Sequence, residues 1–80
     1  REVDFVLYGP DSFTALEVKR SRQVHSRDLQ GLKAFQADYP EATVALLHMG
    51  AEPMRIDGIL CLPCGDFLKG VDPRQPLPIH

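Results

Sequence analysis

Eighty residues, 8.9 kDa and a formal net charge of −2 allow one small domain and exclude a multi-domain machine. Hydrophobic residues at 44% and charged residues at 25% are ordinary globular values, and they exclude a disordered tail, a collagen-like fibre and a coiled coil. No apolar run approaches the ~18 residues of a membrane span, none being longer than Val44 to Leu47, and nothing at the start reads as a signal peptide. The chain opens at Arg1 without an initiator methionine and reads as a piece of a longer polypeptide.

In chain order, Val3 to Tyr8 is β-branched and aromatic and predicts a strand. Gly9-Pro10-Asp11-Ser12 is turn chemistry. Phe13 to Lys19 alternates as a second strand, with Phe13, Ala15, Glu17 and Lys19 on one face and Thr14, Leu16 and Val18 on the other. Together these predict a hairpin with a four-residue loop. Ser26 is the expected N-cap of a helix, with Asp28 in its first turn. Leu29, Leu32, Phe35, Gln36 and Tyr39 follow a helical period until Pro40 stops it. Ala42 to Met49 is near-continuously apolar, as a strand buried on both faces requires, and His48 reads as a core histidine. Gly50 to Asp57 reads as a loop or a short edge excursion, Ile59 to Leu62 as a strand, and Gly65 to Lys69 as one helical turn. Residues 1–70 then form one domain, and the segment 71–80, with Pro73, Pro76 and Pro78, an extended tail.

The fold class is therefore α/β, a small mixed sheet of order β-β-α-β-β. A helix between Lys19 and Ala42 is long enough for a right-handed crossover, so the strands on either side of it should be parallel. Cys61 and Cys64 form a single Cys-x-x-Cys, half of a zinc site. His25, His48 and His80 do not complete it at any His-x3-5-His spacing, so the pair reads as reduced structural cysteines in an intracellular, cytoplasmic protein. His25 reads as a loop residue. Phe35 and Tyr39 read as core rather than as a base-stacking platform, because no exposed aromatics interleave with the basic segment.

Charge is uneven along the chain. From Glu17 to Lys33 five basic residues stand against two acidic ones, a local +3, while the remainder carries four against nine, or −5. A basic segment in an acidic chain is either a phosphate-facing surface or a solvated helix face.

The hairpin places chemistry at one point. With Tyr8 opposite Phe13, Asp4 falls across from Glu17 and Glu2 across from Lys19, on one sheet face with Cβ atoms ~5 Å apart. Opposed carboxylates are destabilising unless something neutralises them, and all-oxygen ligation suits Mg²⁺ or Mn²⁺. Lys19 on the same face suits a water or a phosphate, which outlines phosphodiester hydrolysis. The plain alternative is the solvent face of a hairpin carrying weak ion pairs.

Asp4, a turn, then Glu17-Val18-Lys19 resembles the core of PD-(D/E)XK nucleases, although Val3 stands where the leading proline would be. More narrowly, Glu2 to Leu7, Leu16 to Ser21, Gly31 to Phe35, Leu62-Pro63 and Phe67-Leu68 resemble the C-terminal domain of a family of prokaryotic AAA+ ATPases of unknown function. The resemblance implies a restriction-endonuclease-like topology truncated at its N-terminal side. It implies Asp4, Glu17 and the Val18 carbonyl as metal ligands and Lys19 as the catalytic lysine. Arg20, Arg22 and Arg27 would contact phosphates of DNA. It also implies a parent ATPase domain as partner. No Gly-x4-Gly-Lys-Ser/Thr occurs, so ATP hydrolysis by that route is not encoded in these residues. The alternative function is a non-catalytic module for nucleic-acid binding or assembly. A sheet lacking a covering helix leaves an apolar face and an open edge, which predicts a homodimer.

Overall fold

The structure is a computed structural model and describes residues 3–79. Glu2, expected opposite Lys19, and His80 lie outside the described residues. The elements run β1 (Phe5–Gly9), β2 (Ser12–Val18), a 3-10 turn (Ser26–Leu29), α1 (Gln30–Asp38), β3 (Thr43–His48), β4 (Met54–Ile56), β5 (Ile59–Pro63) and α2 (Cys64–Lys69). Among the described residues the five strands form one mixed sheet in the order β1-β2-β3-β5-β4.

The hairpin register is the expected one, Tyr8 opposite Phe13 and Phe5 opposite Leu16. Its loop is tighter than expected, because Gly9 pairs with Ser12 and only Pro10 and Asp11 turn the chain. The crossover through α1 makes β2 and β3 parallel, with Glu17 beside Leu46 and Val18 beside Leu47. Strand β5 continues on the other side of β3, also parallel, with Leu46 beside Cys61.

The expected helix start is corrected. Ser26 does not cap the helix: the first turn is 3-10, His25 takes the N-cap position, and the Asp28 carboxylate accepts the His25 N–H at 2.7 Å. The segment 50–57 takes the second of its two expected forms, a short edge excursion, since Met54–Ile56 makes β4, antiparallel to β5 through Asp57 and Gly58. Both turn residues have positive φ, 54° and 79°, as a two-residue hairpin matched to strand twist requires. The Asp57 carboxylate takes up Lys33 Nζ and the Ser26 hydroxyl, tying this turn to the helical layer.

Alternation sorts the core into two layers. Ala15, Val44, Leu46, Ile59 and Cys61 face Leu29 and Leu32 of the helical layer. Leu16, Ala45 and Leu47 face Phe67 of α2. Leu77 and Ile79 also pack on this second face, so the proline-bearing segment after Gly70, although without helix or strand, lies against the sheet. Cys61 is buried on the first face and Cys64 packs on the second, and both are free thiols. Burial pushes the Cys61 thiol up.

At the C-terminal ends of β2 and β3, Met49 N–H donates to the Ser21 carbonyl and Lys19 N–H to the Leu47 carbonyl, each at 2.8 Å. His48 is buried; its Nδ1 accepts the Gly50 N–H at 3.0 Å, while its Nε2 finds no partner among the described residues. A β-carbon at Gly50 would stand 2.8 Å from the Arg22 carbonyl oxygen, closer than such contacts occur. Gly50→Ala is accordingly expected to cost about 1–3 kcal/mol in urea unfolding, with amide shift changes concentrated at residues 20–23.

Candidate functional site

Extending the β1–β2 register by one step from Phe5 and Leu16 sets Asp4 beside Glu17, on the face that α1 covers. The contacts there separate the expected site residues. The Asp4 carboxylate accepts the Val18 N–H at 2.7 Å, so its side chain closes the ladder where β1 ends. Because N–H and C=O of one strand residue point the same way, the Val18 carbonyl is directed to that same edge. Glu17 is half-buried and has no ion pair among the described residues. Burial first, then the negative charges of Asp4 and Asp28, holds the Glu17 carboxyl above the usual carboxylate range.

Lys19 lies on the same face and its ammonium pairs with Asp28. This one carboxylate therefore holds both the lysine and the start of the helical layer. The Lys19 hydrogen bond first, then the His25 N–H, keeps the Asp28 carboxyl below the usual range. Asp28 is the neighbour of the candidate site that sequence reasoning read only as a favourable charge in a first turn. The available signal was its spacing to Lys19 across the loop, which no periodicity reports.

Arg20 is exposed and lines an open depression with Asp4, Phe5 and Val18, so it belongs to the site. Arg22 is exposed in the following loop and Arg27 is exposed on the 3-10 turn, where its charge also acts on Asp28. Phe35 is half-buried against the core, whereas Tyr39 is exposed and stacks on Phe13 and Phe35 at the hairpin-turn end, away from the arginines.

The resemblance implies a divalent cation, and the donor chemistry tests the fit. Among the described residues no three His, Cys, Asp or Glu side chains gather as a metal-holding group. Two carboxylates and a carbonyl are nonetheless hard oxygen donors, and Mg²⁺ usually takes only one or two carboxylates, with waters and phosphate oxygens completing its shell. A carboxyl whose ionised form is disfavoured by burial and by neighbouring negative charge is also one that a cation would relieve. The residues fit.

No helix of the described residues is long and apolar enough to cross a membrane. No curated protein and no solved structure matches the chain. Residues 1–67 do match the profile of a family described as a domain of unknown function, DUF4143, and by that match over most of its length the chain belongs to that family.

Proposed function

We propose that this is a nuclease-like domain in which Asp4, Glu17 and the Val18 carbonyl hold Mg²⁺ or Mn²⁺ for hydrolysis of DNA phosphodiesters. The observation that carries the reading is the juxtaposition of Asp4 and Glu17 on one sheet face, with Glu17 partnerless among the described residues and kept from easy ionisation by burial first and then by its acidic neighbours. The ion would supply Lewis acidity at the phosphate and an activated water. Asp28 positions Lys19, whose ammonium offsets negative charge developing on the phosphate. Arg20 is placed to contact a flanking phosphate, with Arg22 and Arg27 further along the same basic segment; such contacts orient a duplex without reading its bases. Domains of this family typically occur with AAA ATPases, which supports a parent ATPase domain as the partner in this cytoplasmic, DNA-directed reading.

A second reading has an observation of its own. Asp4 closes a strand ladder and Lys19 is engaged by Asp28, so both have structural work without any metal. Under that reading the domain is a non-catalytic binding or assembly module.

Titration calorimetry with Mg²⁺ and Mn²⁺ separates the two. The wild type is expected to bind, and Asp4→Asn and Glu17→Gln to lose binding. Without metal, Glu17→Gln is expected to stabilise the fold by about 0.2–1 kcal/mol, the scale of one opposed like-charge pair. Absence of metal binding by the wild type, together with no Mg²⁺-dependent cleavage of plasmid or single-stranded DNA, would leave the module reading standing.

A further inference from the structure

Strand β1 has an open side that the rest of the fold does not account for. Val18 N–H is directed to β1, as its bond to Asp4 shows. By strand alternation Leu16, Thr14 and Ser12 point the same way and form the hydrogen-bonded pairs with Phe5, Leu7 and Gly9. Val6 and Tyr8 therefore aim their N–H and C=O groups out of the sheet, where no described strand meets them. Neither core layer reaches over this strand. Phe5, Val6, Leu7 and Tyr8 are 56%, 49%, 43% and 81% exposed, on alternating faces. Phe5 to Gly9 carries no charge and no proline, the two devices that ordinarily protect an edge.

The ends of the strand differ in charge. At the hairpin turn, Asp11 and Glu41 line one depression with Tyr8. At the opposite end Arg20 lines a depression with Phe5 and Asp4, with Arg22 just beyond, so two arginines stand there against one carboxylate that already accepts the Val18 N–H. An antiparallel partner reverses this polarity, bringing an acidic end against a basic one twice over. A second copy of the chain has that complementary pattern by construction.

We infer that β1 pairs antiparallel with β1 of a second copy about a two-fold axis, joining the two sheets into one continuous sheet. In the register that uses all the open groups, Val6 stands opposite the partner's Tyr8, and Leu7 opposite the partner's Leu7. The β-branched and aromatic pair is a favourable cross-strand combination. Asp11 then falls beside the partner's Val3, within reach of the partner's Arg20. This interface uses backbone and apolar groups of β1 and does not draw on the Asp4 and Glu17 pair, although Arg20 is shared with the proposed phosphate contact.

Sedimentation equilibrium of the 80-residue chain at micromolar concentrations tests this. The expected mass is twice 8.9 kDa, with dissociation promoted by high salt. Val6→Lys and Tyr8→Lys, both at exposed positions, are expected to weaken the dimer at least about tenfold while leaving the far-ultraviolet circular dichroism unchanged. Asp11→Arg should weaken it as well, and adding Arg20→Asp should restore it. A monomer at tens of micromolar overturns the inference, as does a dimer indifferent to both lysine substitutions, or an assembly that grows beyond two copies.

Discussion

Leu46→Ala is expected to be the most damaging single substitution in this chain, costing about 2–5 kcal/mol in urea or thermal unfolding. Leu46 is fully buried in the middle of β3, with Glu17 beside it on one flank and Cys61 on the other. It faces the helical layer with Leu29 and Leu32, which are also fully buried. Both neighbouring strands and the helical layer fix the shape of the void, so little can collapse into it. A domain of 80 residues has roughly 4–12 kcal/mol in total. At the lower end of that range the variant is unfolded at physiological temperature. A cost below about 1 kcal/mol would mean that the helical layer moves in to fill the gap.

Asp28→Ala comes next, at about 2–3 kcal/mol, because it removes a charge-assisted hydrogen bond to Lys19 and the acceptor for the His25 N–H together. The side chains of Lys19 and Asp28 are 25% and 18% exposed, so solvent screens the pair only partly. Asp28→Asn keeps an oxygen for His25 and should cost about half as much. A double-mutant cycle with Lys19→Met isolates the pair itself. The acid limb of the stability profile carries the same signature. With its folded pKa lowered, Asp28 contributes stability that is present above its unfolded value, near 3.9, and is lost as pH falls through the folded value. Glu17 has the opposite sign. With its folded pKa raised, its contribution is present below its unfolded value, near 4.3, and is lost as pH rises through the folded value. Stability should therefore increase as the solution is made weakly acidic and then fall below about pH 4. Glu17→Gln should flatten the first change and Asp28→Asn part of the second.

Local rules made much of the fold legible. Gly9-Pro10 and the alternation after it set the hairpin register, which in turn placed Asp4 beside Glu17. The apolar run around Val44 to Leu47 gave β3, and the length of the helical segment gave its parallel pairing with β2. Strand β4 was harder to read, because Met54–Ile56 is only three residues long and follows Pro53; Asp57-Gly58 was its local signal. Ser26 had the side chain of a cap, but Asp28 reaches His25 N–H first and the Ser26 hydroxyl turns to Asp57, thirty-one positions away. The tie between Lys19 and Asp28 and the return of Leu77 and Ile79 to the sheet are likewise long-range, decided by which surfaces the finished sheet leaves to be covered.

The position of β3 has a kinetic consequence. β1 with β2, and β4 with β5, are local hairpins closed by two-residue turns, the kind of structure that forms in about 1–10 μs. Neither hairpin shares a strand pairing with the other, since β3 lies between them and joins both through parallel ladders. Until β3 enters, the chain is two separate ribbons, each with an open edge, and loop-closure entropy must be met before the central pairing returns any energy. Entry of β3 should therefore be the rate-limiting event. A φ-value well above zero at position 46, with substitution there slowing refolding more than it speeds unfolding, is how that barrier would show itself.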